Sequence, residues 1–213
     1  MKVTIIYDNT AYREDLQADW GFSCLVEIEG VPRILFDTGS DGSILLSNME
    51  KLHIDPKSIE TVFISHAHYD HTGGLSAFLN VNSNVTVYCP DSFRGVRRAK
   101  KVTYVKSSLQ ICENVFSTGE LDGIEQSMAI NTEKGIIVIV GCSHPEMSHI
   151  LNAASKFGKL YGIIGGLHGF NKFDLFKNLG LICPTHCTQH KEEINSLYPK
   201  QTIEGGAGRI IEF

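Results

Sequence analysis

The chain has 213 residues, of which 42% are hydrophobic and 20% are charged, and its formal net charge is −5. This composition predicts a globular protein with ample core for one domain, and the negative charge argues against broad nucleic-acid binding, which a basic surface usually supports. No apolar run reaches the roughly 20 residues of a membrane-spanning helix, so a membrane partner is not expected.

The first half of the chain alternates between strand-like and helix-like segments. Apolar and β-branched runs predict strands, whereas apolar side chains at helical spacing predict helices. The predicted strands cover 2–7, 22–28, 33–36, 61–64 and 85–89, and the predicted helices cover 42–52 and 74–79. Residues 29–32 fit a hairpin turn, and Asp41 is a suitable N-cap for the first helix.

The second half repeats this order. Its predicted strands cover 115–118, 127–131, 135–140, 159–164, 180–183 and 209–213, and its predicted helices cover 146–157, 173–178 and 190–198. The repeat predicts an α/β fold, an αββα sandwich of two mixed β-sheets with outer helices. We expect a single domain, 1–213, built of two similar halves, about 1–110 and 111–213.

The N-terminus and the cysteines indicate the compartment. Residues 1–8 become a strand and a turn before any secretory hydrophobic region could form. The chain has six cysteines, too few for a disulfide scaffold at this length. We therefore expect a cytoplasmic protein with reduced cysteines, while the sequence leaves the oligomeric state open.

Residues 93–101 contain a basic cluster. Arg94, Arg97, Arg98 and Lys101 have a spacing that predicts one shared helix face. A solvated face is the simpler interpretation. The alternative is an anion-binding wall for a phosphorylated substrate, because guanidinium groups bind phosphate through two hydrogen bonds. Arg94 and Arg98 are the candidate substrate-binding residues of this cluster.

One segment, 65–74, concentrates side chains that can bind metals. It reads Ser-His-Ala-His-Tyr-Asp-His-Thr-Gly-Gly and lies between a predicted strand and a predicted helix. His66 and His68 leave the same side of an extended backbone, so both can reach one zinc ion. Asp70 and His71 can reach a second ion beside the first, as in two-metal hydrolytic sites.

Three further histidines follow apolar strands. His144 follows 136–140, His168 follows 160–164 and His186 follows 179–182. Ligand sites in α/β sheets collect outside the carboxyl ends of strands, so these histidines should converge with segment 65–74. Asn9, after the first strand, lies at the same edge and is a candidate substrate contact. The other histidines, His53, His149 and His190, lie on or beside predicted helices and are interpreted as surface or packing residues.

The order of these motifs resembles the metallo-β-lactamase superfamily over most of the chain. The matching residues are Asp37-Thr38-Gly39, the H-x-H-x-D-H string, His144 and His186. The resemblance implies that one metal is held by His66, His68 and His144, and the other by Asp70, His71 and His186. It also implies that Asp37 supports the metal loop through hydrogen bonds.

Finer motifs are similar to one subgroup of this superfamily. Segments 141–144, 165–168 and 186–188 resemble the subgroup named after dihydropterin-methyl-aminobenzene ribofuranosyl phosphate synthase. The region between Pro90 and Ser117 is short compared with that subgroup. Most hydrolytic members have an acidic bridging ligand where the strand order places His168, so His168 is either a metal ligand or a catalytic substrate contact that donates to a developing oxyanion.

The predicted function is metal-dependent hydrolysis of a small phosphorylated or ester-type substrate. Two zinc ions, with iron or manganese as alternatives, would lower the pKa of a bridging water toward about 7 and provide hydroxide. Asp70 would orient this nucleophile and help to transfer its proton.

Three other functions stay open. An iron-dependent oxygen-reducing relative would have glutamate in place of His68, and a nuclease is disfavoured by the acidic charge. A non-catalytic metal-binding module would have a closed ligand shell, whereas seven candidate ligands for two ions leave coordination positions open.

Overall fold

A computed structural model describes all 213 residues, and it contains two β-sheets with helices on their outer faces. The strands are β1 (Lys2–Tyr7), β2 (Ser23–Glu27), β3 (Ile34–Phe36), β4 (Thr61–Phe63), β5 (Thr86–Pro90), β6 (Lys101–Val105), β7 (Leu109–Cys112), β8 (Val115–Ser117), β9 (Met128–Thr132), β10 (Gly135–Val140), β11 (Leu160–Gly166), β12 (Leu181–Thr185) and β13 (Ile210–Glu212). The helices are α1 (Gly42–Lys51), α2 (Tyr69–Thr72), α3 (Leu75–Val81), α4 (Met147–Ser155) and α5 (Lys191–Leu197), with 3₁₀ turns at Pro56–Ser58 and Phe173–Phe176. None of these helices combines the length and the apolar character needed to span a membrane.

The two sheets are mixed. The seven-stranded sheet has the order β13-β1-β2-β3-β4-β5-β6, and the six-stranded sheet has the order β12-β11-β10-β9-β8-β7. Strands β3 to β6 run parallel to one another, as do β10 to β12. Because parallel strands end at the same edge, the residues that follow them can meet there. The predicted αββα sandwich is confirmed.

The apolar core consists of three layers. The central layer joins the inner faces of the sheets, with Phe36 stacked on Phe63 at 5.3 Å and packed with Ile137 and Ile139. An outer layer packs α1 and α3 on the first sheet, and the other packs α4 and α5 on the second. Both faces of β10 are covered, which explains its unbroken apolar sequence.

Helix α1 begins where the sequence predicts. The Asp41 carboxylate accepts hydrogen bonds from the backbone N–H of Ser43 at 2.7 Å and of Ile44 at 3.3 Å. These bonds satisfy two of the amide donors left free at a helix start. Leu45 and Met49 on the same helix are buried against the sheet.

The helix predicted for 93–101 is wrong. This segment is a loop that leads into β6, and Gly95 and Arg98 have φ angles of 99° and 68°. Such positive angles are incompatible with a right-handed helix. The sequence pattern predicts neither β6 nor β7, because most of their residues are exposed or half-buried and give no clear alternation.

The two halves of the chain are interleaved. Strand β13, from the second half, pairs antiparallel with β1 and thereby completes the sheet of the first half. The expected boundary between 110 and 111 falls inside β7. Strand β13 thus links the two halves, and the single domain built of two similar halves stays a prediction.

Candidate metal centre

Five histidines from three segments, each of which follows a strand, meet at one edge of the sandwich. The ring of His66 lies 4.6 Å from that of His68, 4.2 Å from that of His71 and 4.8 Å from that of His144. The ring of His71 lies 4.9 Å from that of His186. These residues follow β4, β10 and β12, so the strand-end argument brings them together as expected, while their metal-binding role stays a prediction.

The potential ligand atoms form two neighbouring groups. One group contains Asp70, His71, Cys142 and His186, the other contains His66, Cys142 and His144, and within each group the atoms lie within 4.8 Å of one another. His68 belongs beside the second group, because its Nδ1 is 3.1 Å from Nε2 of His144. Cys142 is absent from the predicted ligands; its position two residues before His144 is the only signal in the sequence.

A buried carboxylate, Asp37, fixes the histidine loop. Its Oδ2 lies 2.7 Å from Nδ1 of His71 and accepts a 2.6 Å hydrogen bond from Oγ of Ser65, whose Oγ is also 2.9 Å from Nδ1 of His66. With both Nδ1 atoms engaged, the Nε2 atoms of His66 and His71 are left for a ligand. Asp37 contacts the loop as the sequence resemblance implies.

Asn9 and Asp8, at the end of β1, fix His186. Asn9 Oδ1 is 2.9 Å from Nδ1 of His186 and accepts from the backbone N–H of Gly21, while Asn9 Nδ2 donates to the carbonyl of His186. Asp8 Oδ1 accepts from the backbone N–H of His186 at 2.7 Å. Both ends of the Asn9 amide are occupied, so the structure places Asn9 behind the His186 ring, and the predicted substrate contact stays a prediction.

The two glycines that close the metal motif have a steric role. A Cβ on Gly73 would lie 2.0 Å from the carbonyl oxygen of Ser40, and one on Gly74 would lie 2.2 Å from that of Thr38. Both distances are far below van der Waals contact. Only glycine therefore allows the backbone after the motif to pack against the loop that follows β3.

Glu125 is a buried carboxylate that the sequence pattern does not single out. Its Oε1 accepts hydrogen bonds from the backbone N–H groups of Gly141, Cys142 and Ser143 at 2.9, 3.1 and 3.2 Å, and its Oε2 accepts from His144 N–H at 2.9 Å. Burial raises the pKa of Glu125, and the hydrogen bond from His144 partly opposes this shift. Glu125 thus holds the turn that carries Cys142 and His144.

Replacing Glu125 by Gln should destabilise the protein. The glutamine side chain has only one acceptor oxygen, and its NH₂ group would face backbone N–H groups, which are also donors. At least one buried N–H therefore loses its hydrogen-bond partner, at a cost of about 1–3 kcal/mol. The free energy of unfolding should be measured on metal-free protein, because a bound ion would mask part of the loss. Glu133→Gln, at an exposed glutamate, is the matched control and should leave stability unchanged. Equal stability of both variants would contradict this account of Glu125.

Strained backbone conformations cluster at the same edge. Asp37, Ser143, His168 and His186 have φ angles of 53°, 59°, 46° and 47°, although none is glycine. Each follows the carboxyl end of a strand by one to three residues. Such conformations cost on the order of 1–3 kcal/mol each and concentrate at functional sites, where surrounding contacts enforce them.

Burial keeps three of the histidines neutral. Desolvation lowers the pKa of His66 and of His186, and it lowers that of His144 to about 4, helped by the neighbouring ring of His68. At neutral pH these imidazoles therefore carry free lone pairs. This is the protonation state that binds a metal ion.

Asp70 is ionised in the same environment. Burial would raise its pKa, but the hydrogen bond with His186, at 3.1 Å, and the nearby His71 hold the pKa of this carboxyl well below its usual range. Indole Nε1 of Trp20 donates to Asp70 Oδ2 at 2.9 Å, and the Trp20 ring lies 5.2 Å from that of His186. Trp20 therefore orients the carboxylate.

The side chains present fit a pair of metal ions. His66 Nε2 is buried and has no hydrogen-bond partner. An unpaired buried polar atom is rare, and a bond to a metal ion would satisfy this one. The groups combine imidazole nitrogens, a carboxylate and a thiol, the donor types that zinc prefers.

His168 lies beside the metal centre and in neither ligand group. Its ring is 5.0 Å from that of His144. Both histidines line a cavity of about 250 Å³, whose wall also includes Lys172. The structure thus places His168 beside His144 on the wall of this cavity.

The two arginines assigned to substrate binding contact other residues than the site histidines. Arg94 donates to the backbone carbonyls of Asp91 and Phe93, and its guanidinium lies 4.5 Å from the ring of Tyr104. Arg98 donates to the side chain of Asn80 at the end of α3. Because 93–101 is a loop, the arginines share no helix face, and their role in substrate binding stays a prediction.

Two proteins of Methanocaldococcus jannaschii are similar in sequence to almost the whole chain. The family model of the metallo-beta-lactamase superfamily matches residues 21–141. The "7,8-dihydropterin-6-methyl-4-(beta-D-ribofuranosyl)-aminobenzene-5'-phosphate synthase" of Methanocaldococcus jannaschii is 27% identical over 282 aligned positions, covering 99% of this chain and 95% of that protein. An uncharacterized protein of the same organism is 27% identical over 257 positions, covering 98% and 99%. Both alignments are longer than this chain, so both relatives contain additional residues. The named relative confirms the resemblance to the synthase subgroup.

Solved structures share the fold along the full chain. Tm1679, described as a metal-dependent hydrolase of the beta-lactamase superfamily, superposes with a TM-score of 0.79 at 24% identity and covers 100% of this chain and 99% of its own. YhfI from Bacillus subtilis has a TM-score of 0.71 at 14% identity, covering 100% and 99%. The short form of human tRNase Z has a TM-score of 0.66 at 17% identity, with the same coverage. Since the family model spans more than half of the sequence and the fold extends over all of it, the chain belongs to the metallo-beta-lactamase superfamily.

Proposed function

We propose that this protein is a metal-dependent hydrolase that uses two zinc ions to cleave a small phosphorylated or ester-type substrate. The observation that carries the proposal is the pair of adjacent ligand groups at the carboxyl edge of the sheets. His66, His68 and His144 supply three ligands, which leaves one position of a tetrahedral zinc ion for water or substrate. An open position of this kind is typical of catalytic rather than structural zinc.

Zinc is proposed over iron or manganese because of the donor set. Position 68 is histidine, and a thiol lies within both ligand groups. Thiolate and imidazole donors favour zinc, whereas manganese prefers carboxylate, carbonyl and water oxygens.

The chain's own residues would position and protonate the reacting groups. Bound zinc supplies Lewis acidity and lowers the pKa of a coordinated water toward about 7. Asp70, ionised and oriented by Trp20, accepts the proton of the attacking water. His168 donates to the oxyanion that develops on the substrate. Lys172 and Glu146, 3.1 Å apart, form an ion pair on the wall of the same cavity.

A synthase activity is the second candidate. It is favoured by the relative from Methanocaldococcus jannaschii, whose 27% identity extends over 99% of this chain. The additional residues of that relative, and the short segment between Pro90 and Ser117 here, weigh against carrying the synthase activity over to this chain. The two candidates separate in an assay, because only the hydrolase releases products from a single substrate in water.

The proposed hydrolase is tested by metal analysis followed by a substrate panel. Protein purified without added metal should contain zinc, and it should hydrolyse at least one class among phosphodiesters, phosphomonoesters, lactones and thioesters. A chelator should abolish this activity and zinc should restore it. Absence of zinc-dependent turnover across the panel would contradict the proposal.

Two substitutions should separate the two metal ions. Wild-type protein at saturating zinc should bind two ions per chain, because each ligand set has three predicted side chains. His186→Ala should remove chiefly one ion and His144→Ala chiefly the other, whereas His149→Ala, at an exposed histidine, should retain both. A wild-type protein that never exceeds one zinc ion would contradict the dinuclear proposal.

A further inference from the structure

Cys142 is not among the metal ligands predicted from the sequence, yet it lies where a metal ligand is expected. Its Sγ is 3.2 Å from Nε2 of His71, the nitrogen that remains free because Nδ1 of the same ring contacts Asp37. The Cys142 side chain is buried, with 3% of the residue exposed. A metal ion bound to Nε2 of His71 would therefore also be within reach of Sγ of Cys142.

The group that contains His71 has four ligand atoms. Sγ of Cys142 lies within 4.8 Å of the ligand atoms of Asp70, His71 and His186, and also of those of His66 and His144. Its 3.2 Å contact with Nε2 of His71 favours the first group. Four mixed nitrogen, oxygen and sulfur donors at this spacing match the tetrahedral coordination that zinc adopts in closed sites. The neighbouring position, with His66, His68 and His144, borders the cavity that His168 lines.

We propose that Cys142 is a thiolate ligand of the ion held by Asp70, His71 and His186, so that this ion has four protein ligands and the three-histidine ion is the one that receives substrate. The inference rests on the proposed zinc centre and assigns different tasks to its two ions. On binding, the S–H bond of Cys142 breaks, its proton passes to solvent, and the sulfur lone pair forms the bond to the divalent ion.

The backbone and a second thiol support this position. Glu125 accepts hydrogen bonds from the backbone N–H groups of Gly141, Cys142 and Ser143, which fixes the turn that presents the sulfur. Sγ of Cys187 lies 3.3 Å from Sγ of Cys142, and its S–H can donate to a thiolate there. Cys187 is in neither ligand group and therefore serves as a matched control.

Cobalt substitution tests the proposal, because a thiolate bound to cobalt(II) gives an intense sulfur-to-metal charge-transfer absorption in the near ultraviolet. Metal-free protein, kept reduced, should be titrated with cobalt(II) in parallel as wild type, Cys142→Ser and Cys187→Ser. We expect the band in wild type and in Cys187→Ser, and its complete loss in Cys142→Ser. An undiminished band in Cys142→Ser would overturn the assignment.

X-ray absorption on the zinc-loaded wild-type protein tests for the sulfur ligand independently, and it does not depend on the folding of a variant. A sulfur scatterer at roughly 2.3 Å is expected if the thiolate is a ligand. A shell of nitrogen and oxygen alone, in a protein that binds two zinc ions and hydrolyses its substrate, would overturn the Cys142 assignment and leave the proposed function standing. A protein that binds neither zinc nor cobalt would overturn both.

Discussion

Replacing Asp70 by Asn should lower the rate of zinc-dependent hydrolysis by about 10²-fold or more, the scale of a positioned proton-transfer group. Asparagine keeps the size of the side chain and an acceptor for the indole N–H of Trp20, which lies 2.9 Å from Asp70 Oδ2. It loses the negative charge that accepts a proton from water. The loss should therefore appear in turnover, measured on the substrate that the panel identifies.

The Asp70 measurement needs metal content from the same preparation, since Asp70 is also a predicted ligand. The relevant comparison is between wild-type and Asp70→Asn protein that both contain two zinc ions at saturation. Asp174→Asn, at an exposed aspartate outside the ligand groups, is the control and should keep the parental rate. Parental turnover by fully loaded Asp70→Asn protein would show that Asp70 transfers no proton in the rate-limiting step.

The parts of the site that the sequence predicts are those that depend on local spacing. His66 and His68 are two residues apart in one loop, and His144 and His186 each follow a buried apolar strand. Strand formation by such runs and the meeting of parallel strand ends at one edge are general properties of α/β sheets. These two rules were sufficient to place the histidines together.

The parts that the sequence does not predict depend on contacts between distant residues. Glu125, just before β9, supports the turn 141–144 that follows β10, and nothing adjacent to it in sequence marks it as buried. Cys142 meets His71 only because the two sheets pack face to face. In the loop 93–101 the sequence predicts structure that does not form. The spacing of its arginines predicts a helix, but Gly95 and Arg98 have positive φ angles, which a right-handed helix does not allow.

His168 offers the clearest separation of substrate binding from metal binding. It is in neither ligand group, yet it lines the same cavity as His144, whose ring is 5.0 Å away. Its φ of 46° places its backbone in the left-handed region at the end of β11, a conformation that concentrates at functional sites. An imidazole that lines this cavity beside His144 is suited to donate to the oxyanion of a reacting substrate.

His168→Ala should therefore retain both zinc ions and lose roughly 2.7–4 kcal/mol of transition-state stabilisation, the range for removal of one oxyanion donor. Alanine is strained in the left-handed backbone region, whereas asparagine tolerates this region and keeps an N–H donor. His168→Asn therefore separates the loss of the hydrogen-bond donor from the effect of backbone strain. We expect His168→Asn to recover part of the turnover that His168→Ala loses. Zinc content and kinetics should be measured on the same preparations. If His168→Ala lost one equivalent of zinc, His168 would be a metal ligand, and its role as a substrate contact would be contradicted.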